Sequence, residues 1–204
     1  MMRYLAGLLF GLTSTIVAAG PIIDLTTPGA EFGSSSYTLG FEFAVSSAIS
    51  VTSLGVYDSG ADGLEESAQV GLWSNAGDLL TSTLVPAGTA GELDGLFRFE
   101  SISPYLLSAG QTYVVGAYLG GAGIASSCDT GQGGACAIDP QVSVFNDRYS
   151  PFDSTFGFPT QTDNTGGVWL GANFRFEEAS SVPGPGSLAL VGLGLLVMGL
   201  RREA

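Results

Sequence analysis

The stretch Leu39-Gly-Phe-Glu-Phe-Ala-Val45 sets apolar residues at every second position, Leu39, Phe41, Phe43 and Val45, with Gly40, Glu42 and Ala44 between them. Successive side chains of a strand point to opposite faces, so a period of two gives one buried face and one that meets water. A helix would bring its apolar residues back every three or four positions instead. The same alternation recurs at Phe97 and Phe99 around Arg98, and at Phe174 and Phe176 around Arg175. These three segments are predicted as half-exposed strands. Tyr113-Val-Val-Gly-Ala-Tyr-Leu119 is apolar on both faces, the pattern of a central strand, and residues 51–56 and 70–73 supply two more.

Between these runs lie Asn75-Ala-Gly-Asp78, Pro86-Ala-Gly88, Ser108-Ala-Gly110 and Asp163-Asn-Thr-Gly-Gly167. Each holds residues that start turns or tolerate positive φ, so hairpins and short crossovers are expected there. No stretch of the body carries a helical period. The expected fold is all-β, an antiparallel β-sandwich of jelly-roll-like type, flanked by an N-terminal signal helix and a C-terminal hydrophobic helix. No fixed internal period is present, which argues against a propeller or solenoid.

The two ends are set apart by composition. Arg3 supplies a positive charge, residues 4–17 are uncharged and mostly apolar, and Val17-Ala18-Ala19 offers small residues for cleavage after Ala19. Residues 1–19 therefore read as a secretory signal peptide, handled by the Sec translocon and signal peptidase. The alternative, an N-terminal anchor, would need about 20 apolar residues to span a bilayer. Residues 20–180 make one domain.

That domain carries three arginines (Arg98, Arg148 and Arg175) against eighteen acidic residues, a net charge of −15, with no lysine or histidine. A phosphate backbone is bound by displacing its counterions with Lys or Arg, so nucleic acid is excluded as a partner. Without histidine the usual serine and cysteine hydrolase machinery has no base. A glycosidase needs two carboxylates, but no spacing here singles out an acid and a base. The chain is not expected to be an enzyme.

Cys128 and Cys136 enclose the Gly-rich segment Asp129-Thr-Gly-Gln-Gly-Gly-Ala135. In an oxidising compartment two such cysteines are expected to close, and a loop this short gains about 2 to 3 kcal/mol in the chain-entropy model. Two thiols with no histidine make a poor start for a zinc site.

After Phe176 the chain runs through Val182-Pro-Gly-Pro-Gly-Ser187 into a Leu- and Gly-rich apolar stretch to Leu200 and ends near Arg201-Arg202. Fourteen helical residues rise about 21 Å, short of the roughly 30 Å hydrocarbon core, and the arginines would lie on the cytoplasmic side. This motif, apolar run and basic end resemble the PEP-CTERM sorting signal of polysaccharide-producing Gram-negative bacteria. The resemblance implies transient inner-membrane anchoring over residues 181–204 and cleavage by an exosortase-type membrane protease. The motif residues are Val182, Pro183, Gly184 and Pro185, followed by Arg201 and Arg202, with Gly184 in place of the family's glutamate. A plain C-terminal anchor is the alternative. The body resembles an uncharacterised β-sandwich domain found in such proteins, on the matching stretches 39–43, 54–64, 70–73, 97–98 and 170–176. That resemblance implies a secreted or cell-surface location and no particular chemistry.

Two polar or aromatic groupings remain as candidates. Tyr57-Asp-Ser-Gly-Ala-Asp-Gly-Leu-Glu-Glu66 places Asp58, Asp62 and Glu65 in one loop, where a hard cation such as Ca²⁺ could find oxygen ligands. It is not an EF-hand, and a solvated turn explains the same residues. No other cofactor is suggested. Tyr149 and Phe152, in the aromatic segment 145–158 read as an irregular loop, are candidates for stacking on extracellular polysaccharide. Phe156, Phe158 and Trp73 are further aromatic candidates, with Trp73 reading as core. The expected role is structural, at the cell surface or in the extracellular matrix, with a glycan-binding module as the rival.

Overall fold

Tyr37–Val45 is the strand around which the domain is assembled, and its inward side chains Leu39, Phe41 and Phe43 are at most 3% exposed. The computed structural model describes residues 20–33, 36–121, 123–163 and 168–179. The signal segment 1–19 and the sorting residues Val182, Pro183, Gly184, Pro185, Arg201 and Arg202 lie outside the described residues.

In chain order the strands are β1 (Ile23–Thr27), β2 (Glu31–Gly33), β3 (Tyr37–Val45), β4 (Ile49–Tyr57), β5 (Ala68–Ser74), β6 (Leu79–Val85), β7 (Glu92–Asp94) and β8 (Phe97–Leu107). They continue with β9 (Thr112–Leu119), β10 (Ile124–Ser127), β11 (Ala135–Ile138), β12 (Val142–Tyr149), β13 (Gln161–Asp163), β14 (Trp169–Leu170) and β15 (Ala172–Glu178). One sheet runs β13-β12-β3-β9-β5-β6 and the facing one β15-β4-β8-β7. All their pairings are antiparallel. Two small sheets, β1-β11 and β14-β10-β2, complete the described residues, with single 3-10 turns at Ser59–Ala61 and Thr130–Gln132.

The core fills the space between the two large sheets, where Phe43 of β3 meets Phe174 of β15 at 4.9 Å between ring centroids. The central strand expected at 113–119 is β9, flanked by β3 and β5. Asn75–Asp78 makes the β5–β6 hairpin turn, closed by Gly77 N–H donating to Ser74 O at 3.0 Å. By contrast the links after Pro86 and Ser108 carry the chain from one large sheet to the other.

Three expectations are corrected. Arg98 does not lie on a wet face: it is 3% exposed. Residues 145–149 are not loop but the second half of β12, and the irregularity is a bulge between Val144 and Asp147. The bulge inserts one residue and shifts the alternation, which is why a period of two is not visible there. Trp73 is buried at 2% but on the outer face, because its neighbours Val70 and Leu72 take the inner one.

That outer face is built on a row of glycines. Gly40, Gly116 and Gly71 stand opposite one another across β3, β9 and β5. A Cβ at Gly71 would lie 2.5 Å from the Trp73 ring, so the missing side chain is what lets the indole lie flat on the sheet. Phe156 and Phe158 close over it at centroid distances of 5.3 and 6.3 Å. The segment carrying them is tied down by Gly157 N–H donating to Thr38 Oγ1 at 3.2 Å and Ser150 N–H to Thr38 O at 2.9 Å.

Candidate functional site

Asp58 follows directly on β4, and its side chain turns inward to Arg98 on β8. Arg98 Nε donates to Asp58 Oδ2 at 2.6 Å, and the two side chains are 4% and 1% exposed. The rest of the guanidinium donates to the carbonyls of Thr89, Gly91 and Ala61 at 3.1–3.3 Å, while Gly63 N–H reaches both Asp58 oxygens at 3.2 Å. The carboxylate that headed the calcium candidate is thus spent on an internal ion pair that fastens the 58–64 loop to the 89–91 segment. Asp62 and Glu65 are exposed, on the rim of a cavity of about 230 Å³ that Tyr57 and Ile124 also line. Among the described residues no group of three or more His, Cys, Asp or Glu side chains is placed to hold a metal ion.

Every arginine of the domain is committed in this way. Arg148 pairs with Glu42 at 2.6 Å and donates to Asn75 Oδ1 at 3.0 Å. Arg175 reaches Glu92 and Asp94 at 2.9 and 3.0 Å and lies over the Phe99 ring at 4.2 Å. Most of the remaining acidic residues, such as Asp62, Glu65 and Glu66, are exposed and give the outer surface its charge.

Two buried tyrosines respond to pH. Burial pushes the Tyr37 phenol up to about 12, and burial together with the hydrogen bond and charge of Glu31 does the same for Tyr57, whose hydroxyl donates to Glu31 Oε1. The folded state holds these protons more tightly than the unfolded chain, whose tyrosines ionise near 10. Their contribution is therefore whole below pH 10 and is lost as pH rises towards 12. A fall of up to about 2 to 3 kcal/mol per tyrosine is expected across that window, read as a drop in thermal midpoint that tracks tyrosinate absorbance. An unchanged midpoint up to pH 12 would contradict it.

The aromatic candidates divide between two places. Trp73, Phe156 and Phe158 make the closed outer-face cluster already described. Tyr149 and Phe152 line an open cleft of about 300 Å³ with Phe32, Tyr37, Asp147 and Trp169. The β12 bulge brings this about: beyond it Asp147 and Tyr149 stand opposite Phe41 and Leu39 on the inward face, while Arg148 turns out to Glu42. Asp147 is 1% exposed, and its Oδ1 accepts the Trp169 backbone N–H at 2.8 Å, joining β12 to β14.

In the small sheet, Phe32 pairs with Ala125 and Trp169 with Ser127, so all four share one face. Ala125 is small enough for Phe32 and Trp169 to meet edge to face above it, at 4.5 Å. Tyr37 lies parallel to Phe32 at 6.4 Å and takes the edge of Phe152 at 5.0 Å. Phe152 itself is 64% exposed. Sequence reasoning missed Phe32, Tyr37, Asp147 and Trp169. The sequence around Asp147, Asn146-Asp-Arg148, is polar throughout and gave no signal that this carboxylate is buried.

At the far side of β10, Cys128 and Cys136 form a disulfide with Cα atoms 5.6 Å apart. It closes the loop in which Asp129 Oδ1 caps the 3-10 turn through Gly131 N–H at 2.8 Å.

Residues 25–170 match the family described as Domain of unknown function (DUF4082), and the chain belongs to that family. The match runs from within β1 to the end of β14, and so takes in the cleft, the Asp58–Arg98 pair and the disulfide. No curated protein matches the chain.

Proposed function

We propose that this DUF4082 chain is an exported structural protein of the cell surface or extracellular matrix, made by a polysaccharide-producing Gram-negative bacterium. On this reading the Sec translocon and signal peptidase remove residues 1–19. The PEP-CTERM-like segment 181–204 then anchors the chain in the inner membrane until an exosortase-type protease cuts near Pro183-Gly-Pro185. The body is a jelly-roll-like sandwich, and no catalytic role is assigned to it.

The observation that carries the reading is the Cys128–Cys136 disulfide, which suits a chain that folds outside the reducing cytoplasm. The acidic surface adds support, since it favours solubility and discourages adhesion to anionic membranes.

Intact-mass spectrometry of the protein from its producing cells, comparing envelope with medium, tests the proposal. The expected species starts near Gly20, ends close to Val182 and is two hydrogens lighter than its reduced form. A species that keeps Ser187 to Ala204 would replace the sorting reading with permanent tethering. One that keeps Met1 and free thiols would overturn export itself.

A further inference from the structure

We infer that the cleft between β12 and the small β14-β10-β2 sheet is a binding site for a neutral polysaccharide, one sugar ring of which stacks on its aromatic wall. This goes beyond the structural role proposed above and does not depend on how either end of the chain is processed.

The rings carry the inference. Phe152 is 64% exposed, and Phe32, Tyr149 and Trp169 are each only partly covered, so the domain leaves aromatic surface wet where burial would have stabilised it. Phe32 and Trp169 are held by an edge-to-face contact at 4.5 Å and by the pairing of their strands with β10, Tyr149 stands in the β12 ladder opposite Leu39, and Phe152 meets the Tyr37 ring at 5.0 Å. Fixed aromatic faces suit the C–H face of a pyranose, which presents apolar area without asking for displaced hydrogen bonds. A wholly apolar ligand is less well served, because the Asp147 carboxylate stands in the wall, oriented by the Trp169 N–H.

Size and charge narrow the class. About 300 Å³ lies at the small end of the range for small-molecule sites, enough for one or two sugar residues of a longer chain that continues into solvent. The domain's net charge of −15, with its three arginines all held in internal ion pairs, repels uronate, sulfated and phosphorylated polymers. A neutral glycan pays no such penalty.

Affinity electrophoresis of the whole secreted protein tests this, in native gels containing laminarin, dextran, xylan, galactomannan or hydroxyethyl cellulose, with alginate and hyaluronate as acidic comparisons. At least one neutral polymer is expected to retard the protein, and Phe152→Ala and Tyr149→Ala should each weaken the apparent affinity by about tenfold, as the loss of one ring contact does. Phe152 is exposed and Tyr149 half-buried, and an unchanged thermal midpoint will show that each variant folds. No retardation by any neutral polymer, retardation that survives both substitutions, or equal retardation by alginate would each overturn the assignment. A cleft that serves a protein partner instead gives the first of these results.

Discussion

Arg98→Ala is expected to cost the domain about 3 to 5 kcal/mol, the usual result of removing one partner from a buried ion pair. The size follows from what is left behind. Asp58 is 1% exposed and would keep only the Gly63 N–H, while the carbonyls of Thr89, Gly91 and Ala61 would all lose the donor they share. A domain of this size has about 5 to 15 kcal/mol in total, so the variant should melt many degrees lower and populate unfolded chain at modest urea. Removing both charges with Asp58→Asn and Arg98→Met should cost clearly less than the two single changes summed, because no charge is then stranded. Urea titrations of all four proteins, followed by tryptophan fluorescence, check this. If the single and double effects simply add, the pair is not coupled and the account fails.

Gly40→Ala is expected to be as damaging, for a steric reason. A Cβ there would lie 1.8 Å from the Val115 carbonyl oxygen and 2.5 Å from the Gly116 Cα, and both are backbone atoms in the centre of the larger sheet. Neither can move without opening the β3–β9 ladder, so the loss should be about 3 kcal/mol or more, at the upper end of overpacking effects. Gly116→Ala is the internal control. Its nearest contact is the Thr38 methyl at 3.0 Å, a side chain with some room to turn, and the lower entropy of the unfolded alanine chain offsets part of the cost. A loss at Gly116 equal to that at Gly40 would mean that close strand approach is not what glycine supplies at 40.

Strands whose pairing faces one core were legible in the sequence. β3, β4, β5, β8, β9 and β15 all carry the alternation or apolar run that marks them, because a period of two survives wherever a strand has one dry face. β12 was hidden by its bulge. β2, β10 and β14 are two to four residues long, too short to display a period, and their pairing is decided by tertiary contacts alone. The cleft was half legible for the same reason: Tyr149 and Phe152 are close in sequence, while Phe32 and Trp169 reach the site from strands with no local signature. Arg98 was misread because the alternation was assigned to the wrong faces: the register sets Arg98 beside Val56 on the side turned to the other sheet, and Phe97 and Phe99 beside Tyr57 and Gly55 on the opposite side. The charge is tolerated there because Asp58 and the carbonyls of Thr89 and Gly91 receive it.

The pairing of every arginine bears on how the domain meets proteases that cut after basic residues. With no lysine between residues 20 and 179, trypsin-like proteases can cut only after Arg98, Arg148 or Arg175. Each of these lies within a paired strand, and their side chains are 4%, 14% and 12% exposed. Such enzymes need an extended, accessible basic residue in the cleavage pocket, and the folded domain presents none in its described loops. Digestion by such enzymes must wait for unfolding, so the ion pairs that hold the loops and strands together also set how long the domain withstands them.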